Sequence, residues 1–170
     1  MSGKRSFITH SAEETAELGA RLGECVQPGD LIVLCGDLGA GKTQLAGGLA
    51  RALGIREAIT SPTYTILKTY EGGRIPLYHF DLYRLDKAEQ LRDIDFDEVV
   101  RPGFPGVTLV EWGDMFEEVI QEADLMVTLR ISNTNERAIE LSACTPRGEA
   151  FTNLVIPGSN PGSRELESQE

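Results

Sequence analysis

The residues best suited to chemistry in this chain lie in one glycine-rich segment, Gly36-Asp37-Leu38-Gly39-Ala40-Gly41-Lys42-Thr43. It matches the pattern G-x-x-x-x-G-K-[ST], in which successive backbone N–H groups converge on phosphate oxygens. The positive end of a following helix adds to that attraction. Lys42 corresponds to the motif lysine, which bridges the β- and γ-phosphates. Thr43 corresponds to the motif residue whose hydroxyl ligates Mg²⁺. The segment therefore predicts a nucleotide-phosphate site.

Such a loop works only between a buried strand and a helix, and the flanking sequence predicts both. Residues 31–35 form a continuous apolar run of strand length, which is typical of a strand covered on both faces. Residues 42–53 are predicted to form a helix that Gly54 ends. An earlier helix is indicated by the capping-box spacing of Ser11 and Glu14. Strand, glycine loop and helix together predict an α/β fold.

Two acidic residues follow short apolar strands and are candidates for the same site. Asp81 ends the segment 77–80, and Glu111 ends the segment 107–110. A P-loop enzyme needs an acid near its metal, at the end of a strand beside the loop. His79 shares a strand face with Asp81, because side chains two residues apart point the same way. For His79 we favour a structural hydrogen bond over a catalytic role.

A hairpin is predicted to bring a further loop to Asp81. Glu71-Gly72-Gly73-Arg74 has the composition of a two-residue turn between strands 64–70 and 75–81. Pairing the first residue of that segment with its last sets the start of the first strand opposite Asp81. Thr63, just before that strand, then lies beside the aspartate. A slip of one residue would exchange the two faces of the hairpin.

The rest of the chain is predicted to complete a single domain over residues 1–150. The pattern predicts helices at 88–94 and 114–122, strands at 107–110, 125–131 and 137–142, and a disordered tail over 151–170. The alternation over 125–131 indicates a half-buried strand, and 137–142 is its expected antiparallel partner.

Composition narrows the class of protein. The 170 residues are 41% apolar and 25% charged, which excludes a wholly disordered or fibrous chain. No apolar run is long enough for a membrane span or a signal peptide, so we expect a soluble, cytoplasmic protein. Three scattered cysteines (Cys25, Cys35 and Cys144) are interpreted as buried, reduced thiols.

The formal net charge of −11 argues against a surface built to neutralise nucleic-acid phosphates. Two acidic stretches, at 93–98 and 117–122, are either a solvated face or a docking face for a basic partner, and composition leaves both open. The chain lacks an N-K-x-D element for guanine, so ATP is favoured over GTP. Its arginines are scattered and no acceptor pocket is indicated, so a small-molecule phosphotransferase is the second hypothesis. A nucleotide-gated binding module is the third.

Four blocks occur in order between Ser6 and Arg147: G-D-L-G-A-G-K-T, S-P-T-Y-T, H-F-D-L-Y-R-L and V-E-W. Together they resemble the TsaE family, the small ATPase of bacterial threonylcarbamoyladenosine tRNA modification. The resemblance implies a P-loop NTPase-like, three-layer α/β fold with a mixed parallel/antiparallel sheet. It also implies slow hydrolysis of Mg-ATP in support of a TsaB–TsaD pair. In that pair TsaD transfers the threonylcarbamoyl group to the adenosine next to the tRNA anticodon, so tRNA is met only through the complex.

The resemblance also implies roles for individual residues. Nucleotide binding falls to Asp37, Leu38, Gly39, Ala40, Gly41, Lys42, Thr43, Gln44, Thr63 and Trp112. It implies that Thr43, Asp81 and Glu111 bind the metal. It also implies that Lys42, Asp81 and Glu111 are catalytic. Asp81 would support the metal directly or through water, and Glu111 would assist the metal or orient the attacking water.

Three positions in those blocks have more specific implied roles. Thr63 would lie in a loop that responds to the γ-phosphate. Trp112 would lie near the nucleotide or the partner surface. Gln44 departs from the family, which often has a second hydroxyl residue there, and we expect little effect on binding.

Overall fold

The computed structural model describes residues 3–154 and 164–165, which form one sheet covered by helices on both faces. The strands are β1 Lys4–Thr9, β2 Leu31–Cys35, β3 Leu67–Tyr70, β4 Leu77–Asp81, β5 Val107–Glu111, β6 Leu125–Ile131, β7 Arg137–Ala143 and β8 Arg164–Glu165. The helices are α1 Ala12–Cys25, α2 Lys42–Ala52, α3 Gln90–Asp93, α4 Phe96–Val100, α5 Glu117–Glu122 and α6 Pro146–Leu154, with a 3-10 turn at Gly113–Met115.

The centre of the sheet is parallel and its flanks are antiparallel. The strand order is β3-β4-β5-β2-β6-β7-β1-β8. Strands β4, β5, β2 and β6 run parallel, whereas β3 pairs antiparallel with β4, β7 with β6, and β1 with β7. The expected α/β fold with a mixed sheet is therefore confirmed. The parallel centre brings the carboxyl ends of β2, β4 and β5 to one edge.

Helices α1, α2 and α6 cover one face, and α3, α4 and α5 cover the other, so the sheet separates two apolar cores. The first core includes Leu22, Ile32, Leu34, Leu45, Leu49, Leu109 and Phe151, and the second includes Leu31, Val33, Phe80, Leu91, Phe96, Val110 and Val119. Alternate residues of β2 point into opposite cores, as a strand buried on both faces requires.

The hairpin register differs from the prediction. Tyr70 pairs with Leu77 rather than with Ile75, a slip of two positions. Arg74 draws the connecting loop away, because its backbone N–H donates to Leu53 O (2.7 Å) and its guanidinium donates to Gly23 O (2.7 Å). An even slip leaves every side chain on its predicted face.

Three other elements differ from the sequence-based expectation. Strand β1 and helix α4 were not predicted, and the helix predicted over 114–122 is split into the 3-10 turn and α5. Helix α6 reaches Leu154 with Phe151 buried, so the domain continues past residue 150. Of the predicted tail, residues 164–165 pair with β1, and residues 155–163 and 166–170 lie outside the described residues.

Among the described residues, no helix is long and apolar enough to cross a membrane. All three cysteines are free, but Cys144 is exposed and Cys25 only half-buried, so the expectation of buried thiols holds fully for Cys35 alone. Burial raises the pKa of the Cys35 thiol to about 12.

Candidate nucleotide-binding site

The glycine loop joins β2 to α2 at the carboxyl edge of the parallel strands. Gly39 and Gly41 have φ of 81° and 108°, a region that glycine adopts without steric cost. A Cβ built on Gly39 would meet nothing within 4 Å, so the loop backbone is open on that side. The Ala40 N–H donates to Asp37 O over 3.1 Å and closes the turn.

A pocket of 370 Å³ lies over this loop. It is lined by Leu38, Gly39, Gly41, Lys42, Thr43, Gln44, Ser61, Thr63, Asp81, Tyr83, Glu111 and Trp112. Ten of the residues implicated by the sequence are in this set. The other two, Asp37 and Ala40, line a separate cavity of 450 Å³ with Asp114 and Arg130.

Lys42, the first residue of α2, has its ammonium held between a carboxylate and an aromatic ring. Its side chain is 6% exposed, and Nζ lies 4.0 Å from Glu111 Oε1 and 4.1 Å from the centre of the Trp112 ring. The ring also lies 5.1 Å from that of Tyr83. At 4.0 Å the ammonium makes no hydrogen bond to Glu111, so its N–H donors remain available to an anion.

Glu111 ends β5 in a buried position beside β4. It is 3% exposed, and Oε2 accepts a hydrogen bond from Nε2 of His79 over 2.8 Å. The parallel register sets Asp81 beside Glu111, so both carboxylates leave the sheet at the same height. His79 thus makes a hydrogen bond, as interpreted from the sequence, and its partner is a candidate site carboxylate.

Asp81 is 2% exposed and has both carboxylate oxygens hydrogen-bonded. Oδ2 accepts from Thr63 Oγ1 (2.7 Å) and Ser61 Oγ (3.1 Å), and Oδ1 accepts from the Tyr83 N–H (2.9 Å). The predicted proximity of Thr63 and Asp81 is therefore confirmed, although the register that suggested it is wrong. The first strand was predicted over 64–70 but begins at Leu67. A turn at Ile66, with φ of 67°, precedes it, and Ile66 O accepts a hydrogen bond from the Asp81 N–H (2.8 Å), which keeps this segment beside Asp81.

Sequence reasoning missed two residues that line this pocket, Ser61 and Tyr83. Both carried a signal: Ser61 belongs to the same S-P-T-Y segment as Thr63, and Tyr83 comes two residues after Asp81. Neither signal is specific by itself, because serine is among the commonest turn residues and a single tyrosine matches no motif.

Sequence reasoning also missed a cavity of 200 Å³ on the other side of the glycine loop, which we call the second cavity. This cavity is lined by Ser11, Ala12, Thr15, Gly39, Gly41, Gln44, Thr134, Asn135 and Arg137. Arg137, the first residue of β7, donates from Nη2 to Gly39 O over 3.2 Å, so the start of β7 is tied to the loop. Gly39, Gly41 and Gln44 line both cavities, which are therefore neighbours across the loop.

The pocket fits a metal that arrives with phosphates better than one held by protein alone. Within the described part of the chain, no three His, Cys, Asp or Glu residues are placed to hold a metal ion together. Mg²⁺ in nucleotide sites takes one or two carboxylates and completes its shell with phosphate and water oxygens. Asp81, Glu111 and the Thr43 hydroxyl in one pocket match that donor set.

Comparison with known proteins identifies the family. Residues 9–139 match the family model described as "Threonylcarbamoyl adenosine biosynthesis protein TsaE". The chain is 38% identical over 141 residues to the tRNA threonylcarbamoyladenosine biosynthesis protein TsaE of Bacillus subtilis, covering 83% of this chain and 87% of that protein. It is 40% identical over 135 residues to the TsaE protein of Treponema pallidum, covering 79% and 98%.

A solved structure agrees with these relatives. The crystal structure of Bacillus subtilis YdiB matches with a TM-score of 0.73 and 33% sequence identity, covering 91% of this chain and 95% of that one. The fold, the order of the sequence blocks and the family match therefore lead to one conclusion: this chain belongs to the TsaE family of threonylcarbamoyl adenosine biosynthesis proteins.

Proposed function

We propose that this protein binds Mg-ATP and hydrolyses it slowly in the cytoplasm, in support of threonylcarbamoyl transfer to the adenosine next to the tRNA anticodon. Its partners in that reaction would be TsaD, the transferase, and TsaB. The observation that carries the ATPase proposal is the buried ammonium of Lys42, the one cation among the described residues that line the pocket. It faces an open glycine loop, which is what a polyphosphate requires.

The residues of the pocket divide the work of binding and hydrolysis. Lys42 would contact the β- and γ-phosphates, while the Thr43 hydroxyl and the carboxylates of Asp81 and Glu111 would hold Mg²⁺ directly or through water. When bound, Mg²⁺ would neutralise charge that develops on the phosphate oxygens. Thr63 would respond to the γ-phosphate through its hydrogen bond to Asp81 (2.7 Å).

The second cavity is where we expect the nucleoside of ATP to bind. It adjoins the loop on the side away from Lys42, and polar side chains such as Ser11, Thr134 and Asn135 line it. None of its described lining residues is acidic. Proteins that bind guanine usually supply a carboxylate from an N-K-x-D element, which the sequence lacks, so ATP is proposed over GTP. Arg137 would hold Gly39, and with it the loop, between base and phosphates.

The acidity of the chain supports a division of labour with partners. A net charge of −11 suits a subunit that leaves tRNA binding to other proteins.

A small-molecule phosphotransferase has less support, because the pocket offers no second cation among its described residues for a second anionic substrate. A nucleotide-gated binding module uses the same contacts and differs only in whether hydrolysis is required.

The test is ADP release from Mg-ATP by the purified protein, alone and with TsaB and TsaD, together with calorimetric titration of ATP. Lys42→Ala removes the phosphate-facing ammonium and should weaken ATP binding about 30- to 100-fold, as for lost hydrogen bonds to a charged group. Lys68→Ala is the matched control, because Lys68 pairs with Glu57 (3.1 Å) and does not line the pocket.

Each outcome has a distinct meaning. Slow basal turnover that changes when TsaB and TsaD are added supports the partner-coupled ATPase. Unchanged turnover with intact ATP binding would favour the binding module or an unknown acceptor. If Lys42→Ala keeps normal turnover, the nucleotide site itself is wrongly assigned.

A further inference from the structure

We propose that His79 is a positioning residue, which fixes the orientation of the Glu111 carboxylate toward bound nucleotide. This inference rests on the proposed ATPase and adds to it a residue that contacts neither nucleotide nor metal. His79 is fully buried and does not line the pocket, whereas Glu111 does. Its effect on hydrolysis would therefore pass through Glu111.

The strand register explains how the imidazole reaches that carboxylate. In the parallel pair β4–β5, His79 lies beside Leu109 and Asp81 beside Glu111. His79 and Glu111 are thus diagonal neighbours on the face that carries the glycine loop, and His79 Nε2 lies 2.8 Å from Glu111 Oε2. An imidazole N–H donates and a carboxylate oxygen accepts, so the tautomer that carries its proton on Nε2 is the one that suits this contact.

The other ring nitrogen argues against a purely packing role. His79 Nδ1 is buried and has no hydrogen-bond partner among the described residues. An unpartnered buried polar atom destabilises a fold, and an apolar side chain of similar size would avoid that loss. The hydrogen bond to Glu111 is what histidine offers at this position and an apolar residue does not.

This hydrogen bond leaves the two oxygens of Glu111 with different surroundings. Oε2 is engaged by His79, while Oε1 lies 4.0 Å from Lys42 Nζ on the pocket side. A carboxylate that is hydrogen-bonded through one oxygen holds its other oxygen in a fixed direction. A fixed direction is required if that oxygen is to position a metal or an attacking water. Without His79 the group could rotate, and catalysis should fall more than affinity.

Two nearly isosteric variants test this. His79→Gln keeps an N–H donor near the position of Nε2, and His79→Met has similar size and no donor. We expect His79→Met to lower kcat for ADP release about 10- to 100-fold, as for loss of a group that orients a metal ligand, with KM for Mg-ATP changed less than about threefold. His79→Gln should recover most of the lost kcat. If His79→Met does not fold, His79→Leu replaces it, because leucine also lacks a donor and leaves no buried polar atom of its own without a partner.

A double-mutant cycle asks whether His79 acts through Glu111. In a Glu111→Gln background, His79→Met should lower kcat little further, because the group that it positions is already altered. An equal loss in both backgrounds would overturn the proposal. Equal kcat for His79→Met and His79→Gln would also overturn it.

A measurement without nucleotide tests the hydrogen bond itself. The chain has two histidines, His10 and His79, so ¹⁵N-histidine NMR reports on two rings. We expect an exchange-protected Nε2–H signal from His79 that Glu111→Ala removes or shifts; a His79 signal unaffected by Glu111→Ala would refute the pairing.

The Lys42→Ala variant distinguishes failure of this inference from failure of the proposed ATPase function. If Lys42→Ala abolishes turnover and His79→Met does not lower it, only this inference fails, whereas normal turnover in Lys42→Ala overturns both.

Discussion

Substituting one glycine at the contact between α1 and α2 should destabilise the fold and displace the end of the glycine loop at Lys42. The two helices pack with their backbones in contact: a Cβ on Gly48 would lie 1.7 Å from Ala16 O. Real Cβ contacts are essentially never below 3.0 Å. Gly48→Ala therefore requires the helices to separate by about 1.3 Å, the difference between 3.0 Å and 1.7 Å, and backbone cannot give way as a side chain does.

The neighbouring glycine supplies the control from which the magnitude follows. A Cβ on Gly47 would meet nothing within 4 Å, so Gly47→Ala should only gain helix propensity, about 0.5–1 kcal/mol. Gly48→Ala has the same gain but adds overpacking of about 1–3 kcal/mol, and the contact with a carbonyl oxygen points to the upper end. We expect Gly48→Ala to unfold roughly 3 kcal/mol more easily than Gly47→Ala, a melting temperature lower by on the order of 10 °C.

Urea unfolding of both variants measures the free energies of unfolding, and ADP release measures the consequence for the site. Because α2 begins at Lys42, a helix pushed away from α1 should carry Lys42 and Thr43 with it, and turnover should fall in Gly48→Ala alone. Equal unfolding midpoints for the two variants would refute the reasoning, since they would mean that the helices separate without cost.

Two further variants probe the contacts around the site and the fold. Thr63→Val keeps the shape of the side chain but removes the donor to Asp81 Oδ2 (2.7 Å), so turnover should fall about tenfold, in line with a hydrogen bond to a charged group; unchanged turnover would show that the loop acts without this bond. Arg147→Met removes the two-point contact with buried Asp30 (2.9 and 2.8 Å), whose hydrogen bond raises the pKa of Arg147. Because Arg147 is partly exposed, we expect about 2–3 kcal/mol less stability in urea unfolding with ATP affinity unchanged, and an unchanged midpoint would contradict this.

The sequence predicted those parts of the fold that local pattern determines. The apolar run of β2, the glycine loop and the start of α2 follow one another within 22 residues, Leu31–Cys35 to Lys42–Ala52, so motif and periodicity sufficed. Strand β1 was missed because four of the six residues in its sequence, KRSFIT, are polar and its two apolar residues are adjacent rather than alternating. Helix α6 was missed because long-range contacts help to hold it, such as Arg147 with Asp30 across 117 positions.

The site shows the same division between local and long-range information. The register of the hairpin depends on Arg74, which donates to the carbonyl oxygens of Gly23 in α1 and of Val26 just after it, and no turn rule includes that contact. The face was still predicted, because an error of two positions preserves the alternation of the strand. The second cavity needs the turn after β6 beside the glycine loop, and only the folded chain brings Arg137 to Gly39.

The surroundings of the two site carboxylates support a division of roles that their sequence positions leave open. Asp81 is engaged through both oxygens, by the hydroxyls of Ser61 and Thr63 and by the Tyr83 N–H, so a ligand that draws on Asp81 must share it with that loop. Glu111 has one oxygen engaged by His79, and the other lies 4.0 Å from the Lys42 ammonium. Glu111 is therefore the better candidate to act on the phosphates or the attacking water. Asp81 is the better candidate to couple the state of the nucleotide to the loop at 61–63, because a change at its carboxylate alters the bonds that hold that loop.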